Sequence, residues 1–74
     1  MFSELDVVVL NRDLPEYRLQ SGDVGTIVMV HDKNAGYEVE FVTLVGETVA
    51  VVTLPADFVR PIGEREIAHV RVVA

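Results

Sequence analysis

Residues 37–42 read Tyr-Glu-Val-Glu-Phe-Val, so that Tyr37, Val39 and Phe41 point one way while Glu38 and Glu40 point the other. A strict period of two is the signature of a strand with one buried and one wet face, and a helix cannot sort these residues onto two sides. Apolar runs of similar length flank it: residues 5–10 (LDVVVL), 24–30 (VGTIVMV), 47–54 (ETVAVVTL) and a short run at 59–62. Those at 5–10 and 47–54 alternate less cleanly, but each is too short and too rich in valine for a good helix. The chain is therefore expected to be all-β, with five strands and turn signals at close intervals.

The connections carry their own signals. Residues 11–23 are polar, contain Pro15 and end in Ser21-Gly22-Asp23, which reads as a long loop. Gly25 inside the second strand points to a bulge or a close backbone approach. The polar stretch 31–36 (HDKNAG) closes on glycine, as longer hairpin loops do. Val45-Gly46 marks a tight turn, and Pro55-Ala56-Asp57-Phe58 a single 3₁₀ turn before the closing strand. Gly63 stands at the one hinge candidate. Residues 1–63 then form the barrel, and residues 64–74 a C-terminal tail, expected to add a strand, with Ala68, Val70 and Val72 on one face.

Seventy-four residues make one domain. A chain of this size buries only about 60–65% of the surface its unfolded form exposes, which leaves stability marginal without disulfides, a metal or oligomerisation. Cysteine is absent, so disulfides and thiolate metal sites are excluded, and half of the residues are hydrophobic. The N-terminus has neither the basic nor the apolar region of a secretion signal, and no run reaches the ~18 apolar residues of a membrane helix. A cytoplasmic protein is expected, with no membrane association.

Candidate chemistry is sparse. His31 and His69 are far apart and have no second ligand at metal spacing. Asp13 and Glu16 flank Leu14-Pro15, and Asp23 closes the same loop. These carboxylates could ligate a hard cation, but they suit turn capping better. A small barrel fills its interior with side chains and leaves no ligand-sized pocket. No catalytic residue, cofactor or metal site is expected, and the chain reads as a non-enzyme.

Several motifs together resemble a known family. Leu5-Asp6-Val7-Val8, Asp13-Leu14-Pro15-Glu16, Gly22-Asp23-Val24-Gly25-Thr26 and Tyr37-Glu38-Val39-Glu40-Phe41 are similar to those of the bacterial family of unknown function DUF4926. Residues 54–62 (LPADFVRPI) resemble the end of SH3-like domains, and residues 22–28 the second-strand entry of KOW-type barrels. The resemblance implies a small SH3-like five-stranded barrel and no established activity. Members of the family resemble stand-alone proteins found beside toxin-like or mobile-element genes. An SH3-type groove for proline-rich peptides lacks its aromatic walls here, since there is no tryptophan and the loop at 11–23 has only Tyr17.

Partners follow from charge and surplus apolar surface. Twelve carboxylates face six scattered cations, for a net charge of −6. Nucleic-acid binding draws on clustered Lys and Arg, so it is disfavoured. The first and fourth strands are apolar on both sides, and a barrel has only one inside. Val8, Leu10, Ala50 and Val52 are expected to face outward, opposite Val7, Val9, Val49 and Val51. Together with Ala68, Val70 and Val72 they would form a protein-interaction surface. The expected function is a protein-protein interaction module, self-associating as a homo-oligomer (a dimer above all). Its sharper form is an acidic antitoxin or immunity-type protein. The alternatives are an accessory or regulatory subunit of an enzyme complex and, third, a KOW-like nucleic-acid-binding module.

Overall fold

A computed structural model describes residues 2–74. Five antiparallel strands form one sheet: β1 (Val7–Leu10), β2 (Val24–His31), β3 (Gly36–Val42), β4 (Thr48–Pro55) and β5 (Val59–Pro61), in the spatial order β4-β3-β2-β1-β5. The succession is that of an SH3-like fold, and a 3₁₀ turn at Ala56–Phe58 leads from β4 into β5 as expected. The barrel is open rather than closed. β5 pairs only with β1, and β4 only with β3, so these two strands are the edges of the sheet.

The inner face is set by register. Val8 lies opposite Gly25 and Pro61, Leu10 opposite Val59, Ile27 opposite Val39, and Val39 opposite Val52. Residues directly opposite one another share a face, and these are the core. Val8, Ile27 and Val39 are wholly buried, with Leu10, Tyr37, Phe41, Leu54 and Val59 packed around them. Gly25 answers the close-approach expectation. A Cβ there would stand 2.6 Å from Val39 Cγ1 and 2.8 Å from Phe41 Cε1. The bulge itself lies further along β2, between Ile27 and Met29, where Val28 is the additional residue.

Two connections and one strand end depart from expectation. The loop at 11–23 is more than a polar span. Leu14 and Leu19 pair as an isolated bridge around a 3₁₀ turn at Pro15–Tyr17, and both are buried in the core. In the β2–β3 connection the left-handed backbone falls on Asp32, Lys33 and Asn34 (φ 45°, 57° and 74°), not on Gly36, which already belongs to β3. Asp and Asn tolerate this region better than most residues. The Tyr37 hydroxyl donates to Asn34 Oδ1 at 2.9 Å, tying the turn to the core. Finally, β1 begins at Val7 rather than at residue 5, because Leu5 is left-handed (φ 74°).

The C-terminal segment is a tail and adds no strand to the sheet of its own chain. Residues 64–74 adopt no regular structure, and among the described residues no backbone hydrogen bond joins them to the sheet. They are held by side chains instead, as described next.

Candidate interaction surface

The register that places Val8 and Leu10 inside also fixes the outer face. Val7, Thr26, Glu40 and Val51 stand in one cross-strand row, and Arg60, Val9 and Val24 in the next. The expected surface therefore needs correction. Val8, Leu10 and Val52 are core residues, exposed by 5% or less, and Ala50, opposite Phe41, is half-buried against the same core. Three successive valines in β1, and the run from 49 to 52 in β4, offer the same chemistry to both faces. Composition alone could not decide which side was in. An apolar outer face does exist, carried by the other parity: Val7, Val24, Val42 and Val51 are each about half exposed (45–52%). Leu44 and Val45, at the tip of the β3–β4 hairpin, are almost fully exposed. The outward side of Glu38 and Glu40 was legible. Had the pairing been known, it would have carried that parity from Glu40 through Thr26 to Val7.

Ala68, Val70 and Val72 are exposed, as expected, but on an irregular segment. Two arginines pin that segment across the outer face. Arg60, outward on β5, donates from Nη1 to Glu66 Oε1 at 2.7 Å and from Nη2 to Glu66 Oε2. The Gly63 amide also donates to Glu66. These bonds hold the Glu66 carboxyl down at about 2, first through the Arg60 hydrogen bonds and then through the Gly63 amide. Further on, Arg71 donates from Nε to Asp23 Oδ1 at 2.8 Å, from Nη2 to Asp23 Oδ2, and to the carbonyl of Arg18 at 3.1 Å. Asp23 simultaneously accepts from the Gln20 amide, and Asp13 from the Ser21 amide. Asp13 and Asp23 thus serve the turn, and Asp23 also seats Arg71, which no local pattern singles out.

Between these two anchors lies Val9. It points outward with Arg60 and Val24 and stands apart from the core cluster, yet it is only 5% exposed. The two tail anchors flank it, and residues of the tail line one groove with it. Beside the tail an open groove continues across the sheet, lined by Val7, Val24 and Val42 on the floor and by Val70 and Val72 on the wall.

A protein family described as a domain of unknown function, DUF4926, matches residues 4–61. The chain belongs to the DUF4926 family. The match takes in all five strands and stops before the tail. No curated protein and no solved structure matches the chain. No helix among the described residues is long and apolar enough to cross a membrane.

Proposed function

We propose that this DUF4926 protein is a non-enzymatic protein-binding module whose docking surface is the outer face of its sheet. The observation that carries the reading is the patch of half-exposed Val7, Val24 and Val42, which line one groove with the bare Leu44 and Val45 of the hairpin tip. Contiguous apolar surface of this kind is characteristic of protein contacts. The interior supports the same reading, since wholly buried Val8, Ile27 and Val39 fill it and leave the surface as the place for recognition. Glu38 and Glu40 stand on the same face, and the net charge is −6. A partner with an apolar centre bordered by cations would therefore be steered toward it. An acidic antitoxin or immunity-type inhibitor is the narrower form of this reading, supported by that charge.

A photo-crosslinking residue at position 24 tests it in extract of the native host, against the same residue at the turn position 33. Capture of one protein at position 24 alone, abolished by Val7→Glu with Val51→Glu in a chain still folded by circular dichroism, is the expected result. Equal capture at both positions, or recovery of nucleic acid instead, would overturn the reading. Capture of an enzyme subunit would replace the inhibitor form with the accessory-subunit form.

A further inference from the structure

We infer that the outer face is built to receive residues 64–74 of a second copy of this chain, so that two copies exchange tails and each seats the other's Arg71 on its own Asp23 and Arg18 carbonyl. The inference rests on the reading of the outer face as a docking surface and names its occupant.

The tail already shows which chemistry the face accepts. An irregular segment with one arginine between valines places the guanidinium on Asp23 and lines the same groove as the little-exposed Val9. Within one chain this fit is poor elsewhere. Ile67, Val70 and Val72 remain 92%, 71% and 89% exposed, although half-exposed Val7, Val24 and Val42 lie in the same groove. A segment bound to its own sheet only through side-chain anchors can be released without breaking any strand pairing.

Area and reach agree. The chain exposes 5321 Å², whereas a compact monomer of 8.2 kDa is expected to expose roughly 4,500 Å². The surplus, roughly 800 Å², is about what one partner buries in an interface of standard size. From Ile62 to Arg71 the backbone can extend about 30 Å, close to the 34 Å long axis of the molecule. The arginine can therefore reach a neighbour's seat while its own barrel stays intact. Reciprocal exchange closes on itself with two-fold symmetry, and the commonest homo-oligomers have that form. It would bring the two apolar outer faces together, which the arrangement within one chain does not.

Complementary charge reversal separates exchange from attachment within one chain. Arg71→Glu and Asp23→Arg each set like charges against one another, so light scattering at micromolar concentration should give the 8.2 kDa chain mass for each alone. Mixed, the tail of the first fits the seat of the second only between chains. The mixture should return to twice that mass, as should the unsubstituted protein. Monomeric mass for the mixture and for the unsubstituted protein would overturn the inference. Because Asp23 also caps its turn, a second pair leaves it untouched. Val24→Cys and Val72→Cys chains, mixed and oxidised, should form a 24–72 disulfide in excess over a Lys33→Cys control, and no excess would contradict exchange. Monomeric chains that still capture another protein at position 24 would refute tail exchange and leave the proposed docking face standing.

Discussion

The two sides of β1 are made of the same residue and held in different ways. Val8 faces inward among Ile27, Val39 and Val59, where burial comes from four other strands and is unconditional as long as the sheet is folded. Val9, one residue on, is almost as deeply buried, but on the outer side, where it shares a groove with a tail that lies beyond the family match and is anchored by Arg60–Glu66 and Arg71–Asp23. The Arg60–Glu66 pair is about 40% exposed on both sides, where solvent screening leaves such pairs weak. The Arg71–Asp23 pair is better sheltered. Similarly low exposure therefore conceals unequal security. The inner valine belongs to the fold, and the outer one is covered by something that can leave.

The difference is sharpest under a charge. Val8→Glu would bury an unpaired carboxylate at a cost of several kcal/mol, against a total stability of roughly 4–11 kcal/mol for a chain of this length. It should unfold the protein or lower its denaturation midpoint drastically. Val7→Glu, on the half-exposed side of the same strand, should shift stability by about 0.5 kcal/mol or less. Chemical denaturation of the two variants compares them directly, and a tolerated Val8→Glu would place β1 in the opposite register.

A smaller effect is expected from Gly25→Ala. The new methyl would press on the buried side chains of Val39 and Phe41, which would have to shift. Overpacking of this kind costs about 1–3 kcal/mol. A neutral substitution in thermal denaturation would show that β2 and β3 lie further apart at this point.

These comparisons also show what could be read before the structure. Strand three was unambiguous because glutamate alternates with large apolar residues, and the turns at Gly46 and at 55–58 followed from their residues. Strand four is legible to within one residue at each end and strand one to within two at its start, but their parity is not. Side chains that are valine on both faces carry no label, and only pairing with Gly25, Val39 and Val59 supplies one. Leu14 and Leu19 were hidden in a polar loop because their burial depends on a bridge between them. The tail's alternation, Ala68, Val70, Val72, suggested a strand. What places the segment is instead the ion pairing of Arg71 with a loop 48 residues away, and local pattern cannot reveal such a contact.

The gentlest probe of the outer side is pH. Glu66 titrates at about 2 rather than at its ordinary 4.5, because Arg60 and the Gly63 amide favour the carboxylate. A depressed acid contributes its stabilisation fully above the ordinary value and loses it as pH falls through the lowered one. The first tail anchor should therefore hold at neutral pH and release between about 4.5 and 2, while the core strands keep their amide shifts. NMR titration of the Glu66 carboxyl and the Gly63 amide would follow this. A midpoint near 4.5 would mean the anchor does not form in solution.

The central claim is that the tail, and not the sheet, covers the outer face at Val9. The chain has no cysteine, so a single thiol can report on that position without interference. Val9→Cys should react slowly with a thiol reagent in the otherwise unsubstituted chain. It should approach the rate of exposed Val24→Cys once Arg71→Ala removes the second anchor. If Val9→Cys stays equally protected in the Arg71→Ala background, the sheet itself buries that side chain, and the account of a covered, releasable docking face is wrong.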